Sequence, residues 1–416
     1  MKIDSTHRSV NVDPRETQFY ENPYPIYRRL QAECPIFKWE QYGHWCFARY
    51  DDVNALLRDR RFGRQILHVA SRGELGWPET PPHILPFAQH ETHSLLELEP
   101  PVHTRLRGLI TRAFLSRQIE RLRPFIVNLS NGLIDGFEAQ DEVDILAQYA
   151  TPLPVLVICE LLGAPAEMAP QFLTWSHDHV AMYMAKRDRV IEDGAVKAVL
   201  EFSSYMRGLI AARRKNLGSD LLSELIRAES EGQKLSEDEL VTTAILILNA
   251  GHEATVHSLG NGLKAMLERG LSGPITPELV DEILRFDPPL HMFTRYALED
   301  LEFAGLKIKK GEVVGLMLGA ANHDAAKFAA PGQFTPTRDP NPHLSFGAGI
   351  HFCIGAALAR LEMQVALEAL FKRLPGMKLA SVPQYKDVYH FHGLEDLRVR
   401  FHGSKSMFTL PRLGEG

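Results

Sequence analysis

The sequence predicts a mostly α-helical protein with a small, segregated β portion, which is an α+β architecture. Helical spacing dominates from about 101 to 270, and prolines and glycines interrupt it at intervals. Candidate strands lie outside that region, near 35–49, 301–307 and 313–318, and again after 375. The 416 residues, 45% hydrophobic and 24% charged, have the composition of a globular protein. We expect one large domain over 1–416, since chains of this length can bury a single extensive core.

The N-terminal elements follow from short-range patterns. A helix is predicted around 26–31, then two short strands near 35–39 and 44–49, then a helix over 51–59. Residues 66–101 are rich in proline, glycine and histidine and predict a long irregular segment. Loops of that length are usually functional.

One helix is predicted to be unusually long. Ser236 and Glu239 have the spacing of a capping box, and helical periodicity continues to about Gly270. That is roughly 34 residues, or about 50 Å at 1.5 Å per residue. The centre, 244–250, is apolar all round, which predicts burial through the middle of the protein.

Charge and cysteine content exclude several classes of function. The net charge of -6 argues against a nucleic-acid-binding protein. The four cysteines form no CxxC pair, and no Cys/His group has zinc spacing, so we expect neither a disulfide scaffold nor a zinc site. The first eight residues are polar and lack the apolar run of a signal peptide or membrane anchor, which predicts a cytoplasmic protein.

The segment around Cys353 carries the strongest functional signal. Glycines at 347, 349 and 355 flank it, and helix-forming residues follow from Ala356 to Met363. Cys353 is therefore predicted on a turn leading into a helix N-terminus, where backbone N–H groups favour a thiolate. Such a thiolate suits one axial bond to a metal. The alternative is a buried structural cysteine, which is the commoner fate of an isolated Cys.

This segment resembles the haem-binding loop of the cytochrome P450 superfamily. The matching residues are Phe346, Gly347, Gly349, His351, Cys353, Gly355 and the Leu358-Ala359-Arg360 end. The resemblance implies a P450 fold with haem b, and Cys353 as the axial thiolate that donates electron density to iron. It also implies that Phe346 packs near the sulfur, that the glycines direct N–H groups toward it, and that His351 binds a haem propionate.

The long helix contains a second match, Ala250-Gly251-His252-Glu253-Ala254-Thr255, which resembles the P450 oxygen-activation motif. Gly251 predicts either close approach of a ligand or close helix packing, and Glu253 either a proton route or an outward ion pair. The family's threonine position is Ala254 here. Thr255 is one residue later, about 100° around the helix. Proton delivery would then use Glu253 with water, a substrate hydroxyl, or Thr255 through a helix distortion; we favour a water-only or substrate-assisted relay.

Further motifs follow the order of the P450 family. Glu282 and Arg285 share a helix face as an ExxR pair, and the resemblance implies a buried structural network with Arg338. Taken alone, such a pair is usually a solvated surface pair. His103 and Arg107 are four residues apart and suit two carboxylates on a ligand. The resemblance makes these two residues and Arg295 haem-propionate contacts, and the alternative for each is a surface charge.

The resemblance implies monooxygenation, in which one atom of O2 is inserted into a substrate. No dinucleotide-binding or iron–sulfur segment is present, so electrons are expected from a separate ferredoxin or flavodoxin with an NAD(P)H-dependent reductase. A basic cluster near the His103 helix is a candidate docking surface for that acidic partner, or simply a solvated face. Its members are Arg105, Arg112, Arg117 and Arg121.

The substrate pocket is expected to draw on residues 66–101, the segment around Met182 to Met184, Leu246 to Ala250, and Leu290, Met292 and Phe293. These apolar residues predict a hydrophobic small molecule; terpenoid, macrolide, fatty-acid and aromatic substrates all remain open. A peroxygenase or isomerase is an alternative, made more plausible by Ala254 and opposed by Glu253. A non-enzymatic haem-binding sensor is a second alternative.

Overall fold

The computed structural model describes residues 1–114, 119–183, 187–230, 235–389 and 391–401. Within these ranges helices predominate, as predicted. They are α1 Thr17–Tyr20, α2 Tyr24–Glu33, α3 Tyr50–Arg58, α4 Leu85–Glu91, α5 Val102–Ala113, α6 Arg123–Asp135, α7 Pro152–Leu162, α8 Ala169–Ala181, α9 Arg189–Lys215, α10 Leu221–Ser230, α11 Glu237–Leu267, α12 Pro277–Phe286, α13 Leu318–Ala321 and α14 Ala356–Arg373. Over the described ranges, every helix is too short or too polar to cross a lipid bilayer.

The strands form small sheets at the side of the helices. They are β1 Lys2–Asp4, β2 Ser9–Asn11, β3 Ile36–Trp39, β4 His44–Phe47, β5 Phe62–Gly63, β6 Glu142–Asp144, β7 Phe293–Ala297, β8 Leu301–Phe303, β9 Leu306–Ile308, β10 Val313–Leu316, β11 Lys378–Leu379 and β12 Arg398–Arg400. A mixed seven-stranded sheet has the order β1-β2-β3-β4-β10-β7-β5. Arg295 lies on strand β7 of this sheet, and its side chain is buried. Its register partner is Val314 of β10.

The predicted N-terminal elements are confirmed. Helix α2, strands β3 and β4 and helix α3 lie where the patterns placed them, within two or three residues at each end. The region 66–101 differs from the prediction, because it contains a short 3-10 turn at Pro82–Ile84 and then α4. Pro86 sits in the first turn of α4, where a missing N–H costs nothing, so the proline that suggested a break begins a helix.

Helix α11 runs through the core and confirms the predicted long helix. The side chain of Ser236 accepts a hydrogen bond from the backbone of Glu239, and the Glu239 carboxylate accepts one from the backbone of Ser236. The helix packs against α7, α8, α9 and α14. Most of its residues between 239 and 263 are buried, in agreement with the prediction.

The buried residues of α11 leave one side open. Between 239 and 263 only five residues are not buried, and four of them share one helix face: Leu246, Ala250, Glu253 and Ala254. Their spacing of four, three and one residues places them on a single stripe. We call this stripe the open face of α11. An accessible stripe on a helix that is otherwise buried indicates an internal cavity. The centre of α11 is therefore buried on most sides, as predicted, but not on this one.

Candidate active site

The loop before Cys353 is closed by the backbone. The N–H of Cys353 donates to the carbonyl of Phe346 at 2.9 Å, and Gly347 and Gly349 have φ angles of 67° and 73°. Both values lie in the left-handed region, where a side chain is strained. A Cβ on Gly349 would also overlap the carbonyl oxygen of Leu57 at the end of α3. The two glycines are therefore needed to make the turn and to seat it on α3.

Cys353 lies three residues before α14, as predicted, but its thiol is not acidified. Cys353 is exposed into a cleft of about 380 Å³, which also has Arg107, Phe114 and Arg360 in its lining. The surrounding protein raises the pKa of the thiol above its ordinary value by desolvation, and the Gly355 N–H, Arg107 and Arg360 oppose this only in part. The Gly355 N–H at the start of α14 favours the thiolate, as predicted, but desolvation outweighs it in the protein alone; a bound cation would favour ionisation.

Two buried nitrogen side chains near this loop, those of His103 and Arg295, have few or no hydrogen-bond partners among the described residues. His103 is 2% exposed, and neither of its ring nitrogens has a hydrogen-bond partner among the described residues. Burial, followed by nearby His351, lowers the pKa of His103 to about 4. Arg295 is also buried; among the described residues its guanidinium donates only to the carbonyl of Thr294, at 2.8 Å. Burial lowers the pKa of Arg295 to about 10.

Arg107 connects the same helix, α5, to the cysteine loop. Its Nη2 donates to the carbonyl of Phe352 at 2.6 Å, and burial lowers its pKa. Arg107 thus lines the cleft of the Cys353 thiol, and His103 lies beside His351 of the same loop. His103, Arg107 and Arg295 are buried or half-buried, and none of them has a carboxylate partner at ion-pair distance among the described residues. Haem has two carboxylates that would supply such partners, so the residues present fit haem.

His351 has a protein partner that the sequence analysis did not single out. Its Nε2 lies 3.2 Å from Oε1 of Glu99, and the His351 ring lies 4.5 Å from that of His103. Glu99 is buried and also accepts a hydrogen bond from the backbone N–H of Arg64 at 2.6 Å. Burial raises the pKa of Glu99, but His351 and that N–H outweigh it and lower the pKa overall. The motif alone gave no signal for Glu99, which lies 252 residues away.

On α11, Glu253 has a histidine partner one turn further along. Nε2 of His257 lies 3.9 Å from Glu253 Oε1, which is ion-pair rather than hydrogen-bond distance, and Glu253 Oε2 has no partner among the described residues. Burial raises the pKa of Glu253, but His257, His252 and His177 together lower it. The carboxylate is therefore ionised at neutral pH. The i, i+4 spacing of Glu253 and His257 indicates this pair in the sequence, but the pair was not predicted.

The structure separates the alternatives for Gly251 and Thr255. A Cβ on Gly251 would overlap Cδ1 of Ile158 on α7, so close helix packing accounts for the glycine. Thr255 is buried, and its Oγ1 donates to the carbonyl of Gly251 at 3.4 Å. Helix α11 is continuous through this region, so no distortion brings the Thr255 hydroxyl onto the open face. Ala254 holds that position.

We expect Gly251→Ala to destabilise the protein by up to about 2 kcal/mol, because the overpacking cost of about 1–3 kcal/mol is offset in part by the helix propensity of alanine, about 1 kcal/mol better than that of glycine. The substitution Ile158→Val removes the Cδ1 atom that a Cβ at 251 would meet. The double variant should therefore lose less stability than the sum of the two single variants. Urea unfolding followed by circular dichroism measures all four proteins. Strict additivity would show that Ile158 is not the reason for glycine at this position.

The ExxR pair forms a fully buried network. Glu282 and Arg285 are both 0% exposed, and Arg285 donates to Glu282 through Nε at 2.7 Å and Nη2 at 2.8 Å. Arg338 Nε donates to Glu282 at 3.0 Å, as do the Thr335 N–H at 2.7 Å and Asn341 Nδ2 at 3.2 Å. Arg285 also reaches the carbonyls of Asn322, Pro331 and Gln333. The network ties α12 to the segment that leads to the cysteine loop.

The residues expected to line a substrate pocket divide in two. Leu246 and Ala250 lie on the open face of α11, and Leu290 and Phe293 are half-buried. Met292 is 3% exposed and packs in the core under the seven-stranded sheet, with its sulfur at the Gly315 backbone. Met292 is therefore not a pocket residue, because neighbouring residues at a strand start point to opposite sides. Met182 is buried, and Met184 lies outside the described residues.

The basic cluster on and after α5 is only partly free for a partner. Arg105 forms an ion pair with Glu239 at the start of α11, which occupies its charge within the protein. Arg112 and Arg121 are exposed, and Arg117 lies outside the described residues. From α5, Arg107 and Thr111 line the Cys353 cleft.

Comparison with known proteins agrees with this geometry. A profile described as Cytochrome P450 matches residues 273–376. The chain is 37% identical over 403 residues to the "Polyketide biosynthesis cytochrome P450 PksS" of Bacillus subtilis (strain 168), which covers 93% of this chain and 97% of PksS. The chain belongs to the cytochrome P450 family. It is thus a haem-thiolate monooxygenase by family, and the predicted mostly α P450 fold is confirmed.

Other P450s show similar agreement. The "Biotin biosynthesis cytochrome P450" of Bacillus subtilis (strain 168) is 34% identical, covering 92% of this chain and 98% of that protein. The crystal structure of P450BioI in complex with hexadec-9Z-enoic acid ligated acyl carrier protein has a TM-score of 0.85 at 33% identity, covering 92% of this P450 and 100% of that chain. The structure of PksS from Bacillus subtilis 168 has a TM-score of 0.84 at 35% identity, covering 94% and 100%.

Proposed function

We propose that this P450 inserts one oxygen atom from O2 into a hydrophobic small molecule, using haem b and electrons from a separate redox partner. The observation that carries the proposal is an accessible Cys353 thiol beside Arg107, in a protein that also buries a His103 imidazole without a partner among the described residues and whose longest helix keeps an open face. When bound, haem supplies the activation of O2 by two electrons. The protein's own residues supply binding, orientation and proton transfer.

Cys353 would hold the iron, and His103, Arg107 and Arg295 would hold the propionates. His351 would assist, with its ring fixed by Glu99 and tilted against that of His103. The loop glycines at 347 and 349 would bring the backbone against the sulfur side without side-chain hindrance. Glu282, Arg285 and Arg338 would act structurally, by fixing the segment that precedes the cysteine loop.

Glu253 would carry protons toward the bound O2, with His257 as its partner. Glu253 lies on the open face, next to Ala254, and is ionised at neutral pH. His257 is 5% exposed, and its ring lies directly against the backbone of Gly393, which fixes it one turn from the carboxylate. This pair takes the place of the hydroxyl that is missing at 254, and a water or substrate hydroxyl completes the route.

We expect Glu253→Gln to lower the yield of oxygenated product per NAD(P)H by about 100-fold, the low end of the contribution of a positioned proton-transfer group. Electrons would instead leave as hydrogen peroxide. His257→Ala should show a smaller loss of the same kind. The measurement is the ratio of product to NAD(P)H consumed, with peroxide assayed in parallel.

The matched control is Thr255→Val, which removes a hydroxyl one helix position beyond the family's threonine. Because Thr255 is buried and bonded to the Gly251 carbonyl, this variant should keep the wild-type ratio. An uncoupled Thr255→Val with a normal Glu253→Gln would reverse the assignment and make Thr255 the proton donor.

The redox partner is proposed to be an acidic ferredoxin or flavodoxin that is reduced by an NAD(P)H-dependent reductase. Exposed Arg112 on α5, the helix that lines the Cys353 cleft through Arg107 and Thr111, supports electrostatic docking there. Reconstitution with a ferredoxin system and with a flavodoxin system, each titrated with salt, tests this. Turnover driven by peroxide but by neither system would favour the peroxygenase alternative.

The substrate is proposed to be an apolar molecule of fatty-acid, steroid or similar size. Leu246, Ala250, Leu290 and Phe293 support an apolar pocket wall. Relatives whose names state a ligand or product are consistent with this: a "Vitamin D(3) 25-hydroxylase" from Pseudonocardia autotrophica is 37% identical over 374 residues. Spin-state titration of the purified ferric protein with a fatty acid, a steroid, a terpenoid and a macrolide would identify the class. A response to none of these would remove the support for an apolar substrate.

A further inference from the structure

A group of metal-ligand side chains lies away from the cysteine loop, between α4 and α8. His90 and Glu91 are on α4, and His179 is on α8. Each of the three offers one ligand atom, and these atoms all lie within 4.8 Å of one another. Two imidazoles and one carboxylate are a donor set that binds zinc and other first-row divalent ions.

The hydrogen bonds of this group are few and weak for so many polar atoms. His179 Nε2 lies 3.5 Å from Glu91 Oε1, and the other Glu91 oxygen accepts from the Tyr183 hydroxyl at 2.7 Å. His90 Nδ1 lies 3.4 Å from Thr242 Oγ1. His179 is 4% exposed, yet its Nδ1 has no partner among the described residues. A buried, unsatisfied imidazole costs free energy that a bound ion or rearranged ligand would recover.

Both His90 and Glu91 are half-buried rather than sealed, so an ion could reach them.

We propose that His90, Glu91 and His179 form a binding site for a divalent transition-metal ion of the Zn²⁺ class. The site joins α4 to α8, two elements far apart in sequence. His90 contacts Thr242, which is one turn before Leu246 on the open face of α11. The metal therefore lies at the border of the proposed substrate cavity, where it would cross-link two of the helices that enclose it.

A second Asp/His group is less suited to bind a metal ion. Asp287, His291 and His392 are all buried, and their ligand atoms are equally close. However, the Asp287 carboxylate already accepts hydrogen bonds from the hydroxyls of Tyr24 and Tyr385, each at 2.5 Å. Those bonds satisfy the carboxylate within the protein, so a metal would have to displace them.

The test is zinc content of the haem-loaded enzyme after dialysis against zinc and gel filtration, measured by mass spectrometry of the metal. Wild type should retain roughly one zinc ion per chain, as a site with three protein ligands would. His90→Ala/His179→Ala should retain none above background. In titrations, Glu91→Gln should weaken zinc by more than the roughly 10- to 100-fold that loss of a supporting group costs.

His93→Ala is the matched control, since it removes a nearby histidine that is outside the group. It should bind zinc as wild type does and share its zinc-dependent rise in thermal midpoint, which the double variant should lose. The haem spectrum of each variant shows whether it is folded. Absence of zinc from wild type, or equal zinc in wild type and the double variant, would overturn the site and leave the monooxygenase proposal untouched.

Discussion

Replacing Cys353 with alanine is expected to abolish the red-shifted Soret band that the reduced protein gives with carbon monoxide. Thiolate ligation of the haem would give that shift, and Cys353 is the one cysteine of the described chain that is exposed. Monooxygenase activity should fall to background at the same time. The measurement is the difference spectrum of dithionite-reduced protein with and without carbon monoxide, on freshly purified wild type and variant.

The matched control is Cys159→Ala. Cys159 is 1% exposed on α7, and burial raises the pKa of its thiol to about 11, so it is an inert core residue. Its variant should be somewhat less stable but keep the red-shifted band. A band at the position typical of histidine ligation in wild type, or a red-shifted band that survives Cys353→Ala, would show that another residue binds the iron.

Local sequence patterns predicted most of what lies within a few residues of each motif. The capping box at Ser236 begins α11, and the glycines around Cys353 adopt the tight turn expected of them. These features depend on backbone conformation, which neighbouring residues largely determine. The short helix α4 was missed because its proline suggested a break and its seven residues give too little periodicity.

Contacts between distant segments could not be predicted from the pattern. Glu99 pairs with His351 across 252 residues, and a Cβ at Gly251 would meet Ile158 on another helix. The pKa of the Cys353 thiol depends on such contacts too. The helix terminus that favours a thiolate is a local feature, but the desolvation that raises the pKa of the thiol comes from the assembled protein.

The histidines around the open face also show that local patterns do not predict contacts between distant segments. His257 lies four residues from Glu253, so its role was readable, but His177 of α8 meets the ring of His252 only in the folded chain, at 6.1 Å between centroids. The prediction of an apolar pocket therefore left out the imidazoles that lower the pKa of Glu253. The pocket combines apolar walls with this polar end.

Replacing Glu282 with glutamine is expected to destabilise the protein by about 3–5 kcal/mol, the usual cost of breaking a buried ion pair from one side. Glutamine keeps the shape of the side chain but removes its negative charge. Its NH2 group cannot accept hydrogen bonds from the donors that surround the carboxylate. Arg285, which is 0% exposed, would then hold an uncompensated charge in the core. Urea unfolding and haem content per chain measure the effect.

Glu278→Gln provides the comparison on the same helix, α12, because Glu278 is exposed. It should change the free energy of unfolding by no more than about 0.5 kcal/mol, as surface substitutions usually do. Arg338→Ala should be intermediate, since Arg338 supplies one of the donors to Glu282 and is partly exposed. If Glu282→Gln were no more harmful than Glu278→Gln, the network would not be what fixes the segment before the cysteine loop. The loop would then depend on its own glycines and on its contact with α3.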